Sequence, residues 1–393
     1  MFFYKYDLLF KLIFNYNFYF KIFIVIFLLI NIFIDIKINK NIYSLASYKH
    51  FLNDCRNLKK YNRIKIENDI PYYSICLPAF NMENYIEKAV LSILNQSFQD
   101  FEIIIVNDLS NDNTEQIIKN IISKDSRIKT IKHFNNLGVY ASRVDAFLLS
   151  KGKYIILMDS DDMLLNPKLL EELYNYNLIY NLDIIEFRVL CSYEKVFDLS
   201  IKDFKYHYHN LDGTICQPEL SDIYYYDHLT KNYSDVQCRN IWNKIIRRNV
   251  LLSAINYIGK DYYKQLFITA EDTIINLISL HFANNYTNIN IPGYMYNIRE
   301  ISMTHGESDD KKKILFRYNH LLYLKLFYKY IKDFNKDRNF LFYELKKINM
   351  LLLELKNLTN IYNNDIRQFY LEILEDSLTS QLFKDYIKEF IHF

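Results

Sequence analysis

Between residues 72 and 162 the chain alternates short apolar runs with stretches whose apolar residues recur every three or four positions. Residues 74–77 predict a strand stopped by Pro78. Ile86, Val90, Ile93 and Leu94 then share one helix face, with Asn84 as the expected N-cap. Residues 103–106 predict a second strand, ending in Asn107 and Asp108. The pairs Ile117/Ile121 and Ile118/Ile122 predict the helix after it, with Asp112 and Thr114 near its start. A third strand is expected over 128–132, and a third helix runs through Val144 and Leu148 to a stop at Gly152. The apolar run 154–158 then ends abruptly in Asp159, Asp161 and Asp162. Repeated β-α-β units imply an α/β fold with a mostly parallel sheet and flanking helices. Ligands of such sheets sit outside the carboxyl ends of the strands, where Asn81, Asp108 and Asp159 would converge.

After residue 162 the pattern loosens. Ile185, Phe187 and Val189 alternate and predict a half-buried strand, whereas 198–235 has no clear period and is expected to be loop and short elements. Glu271 and Asp272 open a helix whose apolar positions include Ile274, Ile278 and Phe282. Acidic residues in a first turn also suit the helix dipole, so this pair alone does not define a site. From about 309 to 393 the chain is charged, with apolar stripes at helical spacing, and is expected to form a helical region packed on the main domain.

Residues 1–43 form a separate class of sequence. The run 22–34 is apolar except at Asn31, shorter than the ~20 residues a spanning helix needs. It reaches that length when extended back to Tyr16 with Lys21 snorkelling. We read it as an N-terminal apolar helix and membrane anchor; Ser44-Leu45-Ala46 makes a cleaved secretory signal the rival reading. The basic residues Lys37, Lys40, Lys49, Arg56, Lys59 and Lys60 then favour a cytoplasmic body. The division expected is an anchor and linker over 1–70, a main domain over 71–306 and a helical region over 307–393.

Composition narrows the function classes. The 48 basic and 46 acidic residues nearly cancel, which gives no reason to expect a nucleic-acid partner. Cys55, Cys76, Cys191, Cys216 and Cys238 are odd in number and lack CxxC spacing, which fits a reducing compartment better than a disulfide framework or zinc site. His207 and His209 share a strand face but lack a third ligand, so a solvated surface is the expectation. The candidate chemistry lies at Asp159 and Asp161. Two carboxylates one residue apart at a strand end can hold a hard divalent cation shared with substrate phosphates; the bland alternative is an acidic turn.

Around this stretch stand Pro78-Ala79-Phe80-Asn81, Leu94-Asn95-Gln96-Ser97-Phe98, Asn107-Asp108-Leu109-Ser110-Asn111-Asp112-Asn113-Thr114, Asp125-Ser126-Arg127-Ile128, Asn136-Leu137-Gly138-Val139, Gly152-Lys153-Tyr154-Ile155 and Asp159-Ser160-Asp161-Asp162. In this order they resemble the family 2 glycosyltransferases, which have the GT-A fold. Weaker matches lie at Trp242-Asn243-Lys244, Glu271-Asp272, Tyr294-Met295-Tyr296 and Ser302-Met303-Thr304. The resemblance implies an inverting transfer of a sugar from a nucleotide-diphosphate donor to an acceptor hydroxyl, in cell-surface glycan synthesis at the cytoplasmic face of a membrane. The acceptor would be a glycan or lipid-linked. By position, Pro78, Phe80, Asn81 and Asp108 would line the nucleoside, with Asp108 reading the base. Asp159 would approach the ribose or share the cation, and Asp161 would coordinate Mn²⁺ or Mg²⁺. Asp272 would be the general base, with Glu271 as the alternative assignment, and Arg143 would contact the donor phosphates.

Two departures stand out. Leu109 replaces the glycine of the usual Asp-Asp-Gly-Ser turn, and Ser142-Arg143-Val144-Asp145-Ala146 replaces Ala-Arg-Asn-Ala-Gly. A non-catalytic module of the same fold, binding a nucleotide-sugar or scaffolding a partner, is the alternative function. A nucleotidyltransferase would need a glycine-rich, basic phosphate loop, and none follows any predicted strand.

Overall fold

A computed structural model describes residues 70–193, 240–259 and 270–299, with short pieces between them and single positions from 319 to 334. In chain order the elements are β1 (Tyr73–Ala79), α1 (Ile86–Leu94), β2 (Phe101–Asn107), α2 (Thr114–Ile122), β3 (Ile128–Lys132), α3 (Gly138–Leu149), β4 (Tyr154–Leu157), β5 (Met163–Leu164), α4 (Leu169–Tyr180) and β6 (Ile184–Tyr193). Four two-residue strands follow, β7 (Lys202–Asp203), β8 (Ile215–Cys216), β9 (Tyr226–Asp227) and β10 (Asn232–Tyr233). The last are β11 (Lys244–Arg247), α5 (Arg248–Ile258), α6 (Glu271–Phe282) and β12 (Asn285–Ile298).

Among the described residues the main sheet runs β3-β2-β1-β4-β11-β6-β12-β5. The first four strands are parallel, as β-α-β repeats require. Past β4 the mostly parallel expectation gives way to a mixed sheet. β11 enters antiparallel between β4 and β6, β12 lies parallel to β6, and β5 closes the edge antiparallel to β12.

The period of two along each strand divides the core. Ile75, Leu77, Ile103, Ile105 and Ile156 point to the face covered by α1, α2 and α4, while Cys76, Ile104, Val106, Ile155 and Leu157 point to the face covered by α3, α5 and α6. Both faces are covered, which is why these strands are continuous apolar runs. Each fully buried aliphatic side chain contributes about 1.5–3 kcal/mol. β6 is buried on both faces rather than half-buried, because it lies inside the sheet: Ile184 and Ile185 are both 0% exposed and Glu186 is also buried. Leu322, Tyr323, Leu326, Phe327 and Tyr330 are helical and buried in the α3/α5/α6 cluster, so this part of the C-terminal stretch packs on the main core.

Smaller differences also have local causes. Asn84 does not cap α1: Tyr85 takes that position, and the N–H groups of Tyr85 and Ile86 both donate to the Met82 carbonyl. Leu148 is exposed on the outer face of α3. Gly152 is required by packing, since a Cβ there would lie 2.5 Å from Ser74 Oγ and 2.6 Å from Ser74 N. That close approach seats the turn before β4 against β1.

Among the described residues no helix is long and apolar enough to cross a membrane. The expected anchor, the possible cleavage site, His207, His209 and Ser302-Met303-Thr304 lie outside them.

Candidate active site

The parallel strands deliver their carboxyl ends to one edge of the sheet. After β1 and β2 two loops are stitched together: Asn81 N–H donates to Ser110 Oγ at 3.0 Å, Asn111 N–H to Asn81 Oδ1 at 2.8 Å and Met82 N–H to Thr114 Oγ1 at 2.7 Å. Phe80, next to Asn81 in the chain, is 40% exposed, and Pro78 is buried. Asn81 and Leu109 both take left-handed backbone, with φ of 56° and 61°. Leu109 thus keeps the conformation that a glycine would adopt without strain, at a cost of about 1–2 kcal/mol for a side chain. Asparagine tolerates that region better.

Asp108 is buried and engaged at both oxygens. Oδ1 lies 2.7 Å from His133 Nδ1 and accepts the Leu137 N–H at 2.8 Å; Oδ2 accepts the Gly138 N–H at 2.8 Å. His133 Nε2 continues to Asp145 Oδ2 at 2.8 Å, which also accepts Tyr263 OH at 2.5 Å. The Asp108 carboxylate therefore clasps the first turn of α3.

The end of β4 is different. The Asp162 N–H donates to the Asp159 carbonyl at 3.2 Å, forming a tight acidic turn. Asp162 is inside the protein, accepting Tyr294 OH at 2.7 Å and Asn297 N–H at 2.8 Å, and Tyr294 OH in turn accepts the Asp159 N–H at 3.2 Å. Asp159 and Asp161 are partly exposed, with side chains 27% and 16% accessible. Each meets an arginine: Arg143 Nη2 is 2.5 Å from Asp159 Oδ1, and Arg299 Nη2 is 2.6 Å from Asp161 Oδ2. Arg143 also donates through Nη1 to Glu271 Oε1, so one buried guanidinium joins the β4 turn to the first residue of α6.

The carboxyls of Asp161, Asp162, Glu271 and Asp272 are raised above their ordinary values. Burial lifts Asp161 to about 6, with Asp159 adding repulsion and Arg299 opposing it; burial and the other two aspartates lift Asp162 well above its usual range. Burial raises Glu271 against the pull of Arg143, with Asp272 adding to the rise. Asp272 is likewise raised by burial, again opposed by Arg143. Ala270, just before this pair, has φ 63°. Backbone strain at a helix start that presents two carboxyls is characteristic of functional loops.

Side chains from the mixed half hold this geometry, and their roles were not legible in the sequence. Trp242 stacks on Tyr294 and Tyr296 at centroid distances of 4.6 and 5.3 Å, which fixes the tyrosine that links Asp162 to Asp159. Asn243 Nδ2 donates to the Phe187 carbonyl at 3.0 Å, and the buried Lys244 pairs with Glu186 at 3.0 Å. The tripeptides at 242–244 and 294–296, noted only as matches, thus pack against each other. Arg299 and His133 carried no local signal, and Asp145 showed only as a departure from the family pattern. Among the described residues several buried polar atoms around the edge have no partner: Asn107 Nδ2, Arg143 Nε, Ser160 Oγ and Arg299 Nε. Buried polar groups left unpaired in a native fold call for an explanation, and a polar ligand is one.

Among the described residues no three His, Cys, Asp or Glu side chains converge to hold a metal ion. A cation here would be held by one or two carboxylate oxygens together with a substrate, the mode suited to Mg²⁺ or Mn²⁺ beside phosphates.

Residues 74–251 match the model of glycosyl transferase family 2. An uncharacterized glycosyltransferase of Haemophilus influenzae is 41% identical over 105 residues, covering 27% of this chain and 42% of that protein. The poly(ribitol-phosphate) β-N-acetylglucosaminyltransferase TarP of Staphylococcus aureus is 37% identical over 116 residues, covering 28% of this chain and 35% of TarP. Among solved structures, S. aureus TarS 1–349 with UDP-GlcNAc aligns with a TM-score of 0.47 at 17% identity, covering 79% of this chain and 87% of that one. The chain spans less than half the length of these two curated relatives. Residues 74–251, a little under half of the chain, are thus similar to the family 2 glycosyltransferases.

Proposed function

We propose that the protein is an inverting glycosyltransferase of GT-A type that moves a sugar from a nucleotide-diphosphate donor to an acceptor hydroxyl. One observation carries this reading: Arg143 ties Asp159, on the β4 turn, to Glu271, at the start of α6. That clamp brings a partly exposed acidic pair and a second acidic pair to one edge of the sheet. The first suits a diphosphate with its cation; the second suits proton removal from an acceptor.

Asp272 is the general base in this reading. Glu271 is buried and held by Arg143, whereas Asp272 is partly exposed and, among the described residues, accepts hydrogen bonds from Thr273, at 2.7 Å from its N–H and 3.2 Å from its hydroxyl. It would take the acceptor proton as the new bond forms on the face opposite the leaving diphosphate. The raised pKa of Asp272 makes it a better proton acceptor once ionised.

Asp161, with Asp159, would hold Mn²⁺ or Mg²⁺. Their hard oxygen donors and partial exposure fit such an ion, which when bound would neutralise charge on the departing diphosphate. Phe80, Asn81 and Pro78 form the nucleoside side of the site. Asp108 is better read as the residue that shapes that pocket through the α3 turn than as a direct reader of the base, because its oxygens are already engaged. Arg143 is likewise a positioning residue, since its side chain is only 4% accessible.

The acceptor proposed is a cell-surface glycan or a related lipid-linked or polyol-phosphate polymer at the cytoplasmic face of a membrane. TarP, named for transfer onto poly(ribitol phosphate), supports this class. The test is transfer by the full chain from a panel of nucleotide-sugars, with and without Mn²⁺, beside Asp161→Ala and Asp272→Ala. Metal-dependent turnover of one donor, lost in both variants, is the expected result. A protein that neither binds nor turns over any donor would instead be the non-catalytic module.

A further inference from the structure

The acidic turn already carries its own cations, and the two are not alike. Arg143 is enclosed by α3 and bridges two carboxylates, Asp159 and Glu271. Arg299 lies one residue beyond β12, outside any ladder, and among the described residues its ion pair is with Asp161. Its guanidinium carbon stands 5.0 Å from the centroid of the Tyr85 ring, at the entrance to α1, and its side chain is 16% accessible. Its Nε is buried with no acceptor among the described residues. An arginine so placed is secured on two sides but under-satisfied, with donors to spare beside the carboxylate that the glycosyltransferase reading assigns to a metal ion.

A divalent ion and a guanidinium cannot share one carboxylate closely without repelling each other. A diphosphate, however, offers several oxygens that match the planar guanidinium fork. We infer that Arg299 is the exchangeable cation of Asp161. It neutralises Asp161 while the donor site is empty, then yields the carboxylate to the divalent ion and transfers its hydrogen bonds to the diphosphate that arrives with that ion. The inference rests on the glycosyltransferase reading and adds to it a competition inside the site: metal alone must displace an internal ion pair, whereas metal with nucleoside diphosphate is compensated by new bonds to the displaced arginine. Binding of ion and nucleotide is thereby coupled.

This predicts effects of opposite sign from one substitution. In Arg299→Gln, Asp161 loses its resident cation, so Mn²⁺ alone should bind about tenfold tighter, whereas UDP or GDP in saturating Mn²⁺ should bind about tenfold weaker, within the range of ordinary coupling. An arginine that merely supports the fold would weaken both. The measurement is Mn²⁺ titration by electron paramagnetic resonance, and UDP and GDP titration by calorimetry, on the full chain as wild type, Arg299→Gln, Asp161→Asn and the double variant. The gain in Mn²⁺ affinity should vanish in the double variant. If Arg299→Gln binds Mn²⁺ no tighter than wild type while a nucleotide still binds wild type with Mn²⁺, the exchange is overturned and the glycosyltransferase reading stands. If wild type binds neither Mn²⁺ nor nucleotide, both fall. Should Arg299→Gln fail to fold, Arg299→Lys keeps the charge without the fork: wild-type Mn²⁺ affinity with weakened nucleotide binding supports the exchange, and unchanged nucleotide binding overturns it.

Discussion

Two strands of the parallel half, β2 and β4, end alike in sequence, with an apolar run that stops at an acidic turn, Asn107-Asp108 in one and Asp159 to Asp162 in the other, yet the two ends do opposite things. The Asp108 carboxylate is held by a histidine and two backbone N–H groups and closes a turn. Asp159 and Asp161 are partly exposed, each pairs with an arginine, and polar atoms of Ser160, Arg143 and Arg299 around them have no partner among the described residues. An acidic strand end becomes a site when its charge is balanced by groups that a ligand can replace. Where the fold itself supplies every donor, the carboxylate is a structural part.

The sharpest break of this comparison is chemical. Asp272→Asn keeps the size of the side chain and removes its basicity, so transfer is expected to fall by about 10²–10⁴, the usual contribution of a general base, while nucleotide binding changes little. Steady-state kinetics beside calorimetry separates the two. A variant that keeps wild-type turnover would return the base to Glu271 or to another residue.

At the other strand end the expected loss is of stability. Asp108→Asn leaves one carbonyl oxygen where three donors need acceptors, and orphaning a buried donor costs about 1–3 kcal/mol. Urea unfolding should show that loss. Equal stability, with a change confined to nucleotide affinity, would place Asp108 among the residues that touch the ligand. Tyr294→Phe probes the opposite end by a comparable amount, since the Tyr294 hydroxyl serves both Asp162 and the Asp159 N–H. There the loss should appear in metal and nucleotide affinity as well as in unfolding.

How far these roles were legible follows the range of the interactions. The β-α-β half was readable because each run of Ile and Val and each helix stripe encodes its own partner layer within a few residues. Asp159 and Asp161 were readable for the same reason, being the visible stop of a buried run. Arg299, Tyr294 and Lys244 were not, because they reach the site only through the insertion of β11 between β4 and β6 and the pairing of β12 on β6. No local period records those pairings. Asp145 is the middle case: its departure from the family pattern was visible, but its partner His133 lies a full loop away, and only the packing of α3 joins them.

Acidity gives a further contrast with a defined sign. The raised carboxyls at the β4 turn and α6 start hold protons in the folded chain that the unfolded chain releases. Their contribution to stability is present below the ordinary carboxylate range and is lost as pH rises through the folded values. Asp162→Asn should flatten this fall in a series of unfolding curves. Glu102 has the reverse sign. Burial raises it, but hydrogen bonds from Lys129, Ser74 and the Lys151 N–H leave it below its usual value. Its contribution is present above the ordinary glutamate value and is lost as pH falls through the lower, folded one. Turnover follows Asp272: its base form is required, so the acid limb of kcat/KM should lie above the ordinary aspartate range.

The smallest expected effect concerns strain. Ala270 holds left-handed backbone immediately before the Glu271–Asp272 pair, and Leu109 holds it beside Asp108. Glycine at either position removes the Cβ clash of about 1–2 kcal/mol but adds unfolded-chain entropy, so a net gain of roughly 0.5 kcal/mol is expected at each. If the two ends differ as argued, the consequences for activity should diverge. Leu109→Gly should stabilise with turnover unchanged, because the Asp108 clasp fixes that turn by hydrogen bonds that do not depend on the side chain at 109. Ala270→Gly should stabilise by a similar amount yet lower turnover, because the start of α6 orients Asp272 and its remaining tether is the Arg143–Glu271 pair. Equal loss of turnover in both variants would mean that the β2 end is as much a part of the reacting site as the β4 end.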